Sequence, residues 1–302
     1  MTGGAGFIGR HCVKSFLEKN YQVTIFDNFS NSSEDIISDL LDDGAKLIKG
    51  DITRRDEVSN AISGHDIVIH LAAKINVEDS IKFPKETLMT NVDGAINVLN
   101  ACVKHDVKNI IAASSAAVYG ETQNLPISEN NKTNPSSLYG ESKLKMEEYI
   151  QSFSKKHNIN SIILRIFNVY GKGQSPEYAG VITKFLNKIS KNQPLEIFGD
   201  GLQTRDFVSI QDVVESIYCA ISKIEGKRGI IFNIGNGKSV SINELAKHMI
   251  SISKKNLEIK YREEKKDEIR FSQADISLAK KVLNYNPKIE FKNGINDLMK
   301  FV

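Results

Sequence analysis

Four glycines crowd the opening stretch "MTGGAGFIGR", at positions 3, 4, 6 and 9. No other feature of the chain restricts its fold so strongly. Glycine has no Cβ, so this spacing lets the backbone turn tightly and come close to an anion. The anion then rests on the unpaired N–H groups of a helix N-terminus. The residues that follow, "FIGRHCVKSFLEKN", space Phe7, Ile8, Cys12, Val13, Phe16 and Leu17 as the buried face of that helix.

Two glycine registers are present, Gly4-x-Gly6-x-x-Gly9 and Gly3-x-x-Gly6-x-x-Gly9. Next comes "YQVTIFDN", which reads as a strand ending in Asp27. An acid about twenty residues beyond such a turn receives the ribose hydroxyls of a dinucleotide and repels a 2′-phosphate, which favours NAD over NADP. The other reading of these residues is a helix N-terminus followed by a strand-end Asp in a turn.

A turn of this kind normally ends a β-strand, yet only Met1 and Thr2 precede Gly3. In a doubly wound sheet that strand is central. The expectation is therefore a truncated first strand whose neighbours hold unmatched backbone groups, at a cost of about 1–3 kcal/mol each. A native chain longer by about five or six apolar residues would supply a typical strand. The 302-residue form is expected to retain NAD poorly and to have low stability.

Beyond Asp27 the pattern alternates. Residues 45–49, 66–71, 109–114 and 161–167 are short Ile- and Val-rich runs suited to buried parallel strands. Helical periodicity separates them. In residues 88–105, Leu88, Val92, Ala95, Ile96, Leu99, Cys102 and Val103 share a face. Further helices are expected near 139–157, 181–191, 212–222 and 242–253. This predicts an α/β protein: a doubly wound parallel sheet over residues 1–170, with part of the sheet completed by later segments. Residues 171–302 form a smaller α/β portion packed over its open side.

Charge and cysteine content narrow the partners. The 40 Lys and Arg nearly cancel the 37 Asp and Glu, leaving +3, with no basic stripe that would suit nucleic acid. The mixed-charge stretch 262–268, "REEKKDE", reads as a solvated loop or strand end. Cys12, Cys102 and Cys219 lie scattered in helical patterns and read as reduced core residues of a cytoplasmic protein. The six histidines lack metal-ligand spacing, and no run of 18 apolar residues appears.

Two more stretches carry chemistry. The apolar run 110–120, "IIAASSAAVYG", ends its strand in Ser114 and Ser115. "SSLYGESK" places Tyr139 and Lys143 four residues apart, on one helix face. A free tyrosine ionises near ~10, too high for a base at neutral pH. A lysine ammonium and a nicotinamide cation nearby would both favour the phenolate. A serine hydroxyl opposite would hold the substrate oxygen in line.

Taken in order, these motifs resemble the extended short-chain dehydrogenase/reductase family, and within it the NAD-dependent nucleotide-sugar epimerases of UDP-glucose 4-epimerase type. The similarity extends through "FDNFSNS", "GDI", "HLAA", "NVDGAINVLNAC", "SSAAVYG", "LRIFNVYG", "GDGLQTRDFV" and "FNIGNG". The resemblance implies a Rossmann-type fold and a catalytic set of Ser115, Tyr139 and Lys143. It implies that Gly3, Gly6 and Gly9, with Phe7, Ile8, Asp27 and Asn28, hold NAD. Asp51, Ile52, Leu71, Ala72, Ala73 and Phe167 would line the same cofactor, which Tyr139 and Lys143 also touch. Asn91 would support that pocket or simply tie a helix.

For the substrate, the resemblance implies that Asn168 meets the sugar diphosphate and Arg205 grips a phosphate. The alternative reading of Arg205, beside Asp206, is a surface ion pair, and the flanking "GDG" and "QTRDFV" favour the phosphate role. Lys265 stands where the family carries an arginine, with Asp267 in place of its glycine, which implies a phosphate grip that is either weaker or redistributed to Arg270. Ile75 replaces a polar residue near the nicotinamide. Ser272 occupies the sugar-pocket gate, where a small residue would admit N-acetylated sugars.

Ala116 and Ala117 follow Ser115 where dehydratases and decarboxylases of this family carry an acid. The implied reaction is therefore C4 epimerisation of a UDP-sugar through a transient 4-keto sugar. A nucleotide-sugar reductase, a uronic-acid epimerase and a non-catalytic NAD-bound sensor remain as alternatives. The family also implies a homodimer built on the helices near 88–105 and 139–157.

Overall fold

Seven chain segments line up in parallel to make the main sheet of the computed structural model, which describes residues 1–174, 180–264 and 269–300. In spatial order they are Lys46–Lys49, Thr24–Asp27, the bridge residue Thr2, Ile67–His70, Asn109–Ser115, Asn160–Ile166 and Arg228–Ile234. Their Ile, Val and Ala side chains are largely buried on both faces, as a parallel sheet covered by helices requires.

Helices Phe7–Glu18, Ile210–Ser222 and Ser277–Leu283 cover one face, where Cys12, Val13 and Phe16 meet Ile25, Ile162, Val213 and Leu283. Helices Arg55–Ile62, Gly94–Lys104 and Leu138–His157 cover the other, through Val58, Val98, Leu99, Met146 and Ile150. This is the doubly wound α/β arrangement expected from the alternating pattern.

The structure narrows the expectation of a missing first strand. Met1 and Thr2 occupy the central position and bond alternately to both neighbours. The Phe26 N–H donates to the Met1 carbonyl (2.8 Å) and the Gly3 N–H to the Phe26 carbonyl (2.9 Å). On the other side the Thr2 N–H donates to the Ile69 carbonyl (3.0 Å) and the Leu71 N–H to the Thr2 carbonyl (3.1 Å). Two residues thus satisfy the end of the sheet nearest the turn, where the glycines must be delivered.

One helix differs in kind from its periodicity. Residues 88–105 resolve into the end of the α-helix Pro84–Leu88, a π-helical turn Met89–Asp93 and the α-helix Gly94–Lys104. The extra residue of the π turn lets Asn91 and Val92 both face inward, and Asn91 is fully buried. Val103, expected on the buried face, is exposed.

Residues after 167 build a second layer. Thr204–Ser209 pairs in parallel with Asn168–Tyr170 and antiparallel with Ser239–Ser241, while Leu195–Phe198 pairs with Ile259–Arg262. Helices Val181–Ser190, Ile242–Ser253 and Phe291–Met299 enclose a core of Ile182, Phe185, Leu195, Leu245 and Met249 beside these strands. The strand Arg228–Ile234 returns from this half to the main sheet. Among the described residues, no helix is long and apolar enough to cross a membrane. All three cysteines are free thiols; Cys12 and Cys102 are buried and Cys219 half-buried.

Candidate active site

The glycine turn leaves the sheet between Thr24–Asp27 and Ile67–His70 and opens the helix Phe7–Glu18. Gly3 has φ +67°, and a Cβ there would stand 2.6 Å from the Ala72 nitrogen. A Cβ on Gly9 would stand 2.3 Å from the Gly3 carbonyl oxygen, so helix and turn touch without room for any side chain. Gly6 caps the helix with no side-chain hydrogen bond, and no acid stands in the first turn. Its N–H groups therefore face an anion site that no carboxylate of this turn occupies.

Beside the turn, the Asp27 carboxylate accepts from the N–H groups of Ala5 (3.0 Å) and Phe29 (2.9 Å), which fixes its direction. Asn28 donates to Asp51 (2.9 Å), and Asp51 also accepts from the Thr53 N–H and hydroxyl, both at 2.8 Å. Burial works to raise the Asp51 carboxyl, but these hydrogen bonds and the Arg54 charge hold it below the usual carboxylate range.

These groups line a groove of about 490 Å³. Gly3, Gly6, Phe7, Ile8 and Gly9 form one wall, Asp27, Asn28, Asp51 and Ile52 the end, and Leu71, Ala72 and Ala73 the floor. These residues, all expected to hold a dinucleotide, are thus brought together with a cradle that a Cβ would fill, while Phe167, Tyr139 and Lys143 line the neighbouring cavity instead. That arrangement fits NAD. A second cavity of about 820 Å³ continues from it past Leu71, Ala73, Ile75 and Ala113.

The larger cavity gathers the residues expected to carry the chemistry. Ser115, Tyr139, Lys143, Phe167, Asn168 and Arg205 all line it. Ser115 ends the strand Asn109–Ser115, while Tyr139 and Lys143 lie in the first turns of Leu138–His157. That helix is started by the Ser137 hydroxyl, which accepts from the Gly140 N–H (3.1 Å). Burial pushes the Tyr139 phenol up, and its hydrogen bond with Ser115 opposes the shift. Lys143 is buried and donates from Nζ to the Ala113 carbonyl (2.8 Å). Burial lowers its ammonium to about 8, against the opposing charge of Glu147.

Other expected residues fall elsewhere. Asn91 does not line the groove. Its amide accepts from the Lys74 N–H (2.8 Å) and donates to the Lys74 carbonyl and the Ser142 hydroxyl, both at 2.9 Å. It ties the Lys74 loop, which lines the groove, to the tyrosine helix. Ser272 is buried and stands outside the described cavity lining. Arg270 forks onto Asp200 (2.8 and 2.6 Å). Lys265 and Asp267 lie outside the described residues.

Strand alternation sends Arg205 and its neighbour Asp206 to opposite faces, with Arg205 lining the larger cavity. Asp206 is fully buried and accepts from the N–H groups of Asn236 (2.7 Å), Gly237 (2.9 Å) and Ala274 (3.0 Å). Sequence reasoning missed Gln174, which lines both cavities, and Lys184 and Lys188, which line the larger one from helix Val181–Ser190. The two lysines stand at i and i+4, a spacing that on its own reads as a solvated helix face.

Comparison with known proteins agrees with this geometry. Residues 1–235 match the model of the NAD dependent epimerase/dehydratase family. A Methanocaldococcus jannaschii protein carrying the provisional name UDP-glucose 4-epimerase is 40% identical over 309 residues, covering 100% of this chain and 97% of that protein. The crystal structure of a Thermotoga maritima UDP-glucose 4-epimerase with UDP-glucose superposes with a TM-score of 0.94 at 31% identity, covering 99% of this chain and 96% of that one. A UDP-N-acetylglucosamine 4-epimerase from Methanobrevibacter ruminantium, in complex with UDP-N-acetylmuramic acid, gives 0.92 at 31% identity, over 99% and 96% of the two chains. With its glycine cradle, strand-end acid and tyrosine–lysine helix in one continuous cleft, the chain belongs to the NAD dependent epimerase/dehydratase family.

Proposed function

We propose that this chain epimerises a UDP-sugar at C4 with NAD bound throughout turnover. The observation that supports the reading is a cavity lined by Ser115, Tyr139 and Lys143 that shares Ile8, Leu71, Ala73 and Ala113 with the dinucleotide groove. The similar proteins named as UDP-glucose and UDP-N-acetylglucosamine 4-epimerases support the substrate class. Ala116 and Ala117 support epimerisation over elimination, since neither can protonate a leaving hydroxyl.

NAD, when bound, supplies the hydride acceptor that a C4 oxidation and its reversal need. The protein's own groups do the remainder. Tyr139 takes the C4 hydroxyl proton and later returns it. Burial alone disfavours the phenolate, so Lys143 must carry its proton for Tyr139 to act as a base near neutral pH. Ser115 aligns the substrate oxygen beside the phenol. Arg205 and Asn168 hold the diphosphate, about which the 4-keto sugar rotates to present its other face.

We further read residues 1–170 as mainly cofactor-binding and 171–302 as mainly substrate-binding. A cytoplasmic homodimer completes the proposal. Exposed Val103 and Tyr149 on Gly94–Lys104 and Leu138–His157 support a helix-to-helix contact.

The test is incubation with UDP-glucose and, separately, with UDP-N-acetylglucosamine, followed by sugar analysis and release of bound NAD. Epimer formation without net change in NADH absorbance is expected. Consumption of external NADH would instead mark a reductase. Tyr139→Phe should lower turnover by roughly 10²–10⁴-fold while NAD stays bound. A variant with unchanged turnover would overturn the assignment.

A further inference from the structure

Below the reacting groups lies a buried polar chain that this mechanism does not use. Glu147 stands one helical turn beyond Lys143 and is almost fully buried. The Ser114 hydroxyl donates to its Oε1 (2.5 Å), and Arg165 donates from Nε to Oε1 (3.0 Å) and from Nη2 to Oε2 (2.6 Å). The guanidinium lies over the Tyr119 ring, 4.7 Å from its centroid. The Tyr119 hydroxyl donates to Asn233 (2.6 Å), whose own N–H donates to Glu129 (2.7 Å). Three strand ends and the tyrosine helix are thereby locked together.

A buried carboxylate paired with an arginine usually reads as a structural ion pair, which contributes little net stability. Two features point further. Ser114 lines the cavity and follows Ala113, whose carbonyl holds Lys143. The Glu147 charge also favours the Lys143 ammonium. Tyr139 and Glu147 face Lys143 on its own helix, and His70 faces it from the strand Ile67–His70. Arg165 stands behind Glu147, and the Met89–Asp93 turn presents the neutral Asn91. Burial, then the Lys143 charge and the N-terminus, push His70 down to about 3, so it stays neutral.

Building on the proposed reaction, we propose that Glu147 is a positioning residue for it. Its fixed negative charge, oriented by Arg165 and Ser114, keeps Lys143 an ammonium in a site whose burial would otherwise strip that proton. Without the carboxylate, Lys143 loses its proton at lower pH and Tyr139 loses the cation that favours its phenolate.

The experiment compares the wild type with Glu147→Gln and Glu147→Asp. It adds the double variant Glu147→Gln/Arg165→Met, which avoids stranding a buried cation. Two readouts are taken: the pH profile of kcat on UDP-glucose, and the titration of Lys143 in the ligand-free chain by ¹³C NMR of ε-labelled lysine, assigned with Lys143→Met. Loss of the carboxylate should move the alkaline limb and the Lys143 midpoint down by about one pH unit. Glu147→Asp should leave both near the wild-type positions. If the folded Glu147→Gln variant keeps the wild-type midpoint and limb, Glu147 is only structural and the inference fails; the double variant shows whether the fold survives without the ion pair. A wild type inactive on UDP-sugars, with the Lys143 midpoint still shifted in the variants, would sink the substrate reading and leave the role of Glu147 standing.

Discussion

Gly9 shows how little freedom a single residue can have. It lies against Gly3 and Gly4 so closely that one added methyl would stand 2.7 Å from the Gly4 Cα as well as striking the Gly3 carbonyl. Gly9→Ala must therefore open the turn or shift the helix, at a cost of roughly 1–3 kcal/mol for an overpacked site. Thermal denaturation should show that loss. NAD released from the purified variant should also fall well below the wild-type amount. A Gly9→Ala variant of unchanged stability and full NAD content would mean that the cradle is looser than its contacts indicate. Residue types with a single physical use, such as glycine at positive φ, are the ones legible from sequence. Ser272 is the opposite case. Its small side chain suits a pocket gate or a buried loop equally well, and the structure buries it.

At the scale of elements, the strands and helices expected from periodicity all occur, with boundaries shifted by a few residues. The exception, the π turn at Met89–Asp93, is also where Asn91 is directed inward. Hydrophobic spacing could not reveal it, because one inserted residue changes the direction of side chains without changing their order. Asn91 then acts as a clamp between the Lys74 loop and the tyrosine helix. Asn91→Ala would leave the Lys74 N–H without its acceptor, at a cost of about 1–3 kcal/mol. We expect a lower Tm and weaker NAD retention, since the Lys74 loop forms part of the groove. Equal retention by the folded variant would limit Asn91 to stability alone.

At the scale of the whole molecule, the two halves meet through specific ties. Asp206 is one, joining the strand Thr204–Ser209 to the loop after Arg228–Ile234 and to Ala274. Burial raises its carboxyl to about 6, although three N–H groups oppose the shift. A native state that holds this proton more tightly than the unfolded chain is favoured at low pH. That advantage is lost as pH rises from about 4 to about 6, and the difference amounts to roughly 3 kcal/mol. Asp206→Asn removes the titration, so its stability gap from the wild type should change across this window. Chemical denaturation at pH 4, 5 and 6 should show the wild type losing stability relative to the variant. A flat difference would mean that the three N–H groups outweigh burial.

The chain's own spacing carried the doubly wound fold, the glycine turn, the acid at Asp27 and the Tyr139–Lys143 pair on one helix face. Each depends on local spacing or on a residue with few alternative uses. The tertiary structure decided what depends on distance through space. It set Thr2 between Phe26 and His70 at the centre of the sheet, and joined the dinucleotide groove to the larger cavity. It also showed Lys184 and Lys188 facing that cavity, Arg270 engaged by Asp200, and Glu147 buried beneath Lys143. Burial and electrostatic coupling are properties of neighbours, and the neighbours of Glu147 come from chain positions as far apart as 114 and 165.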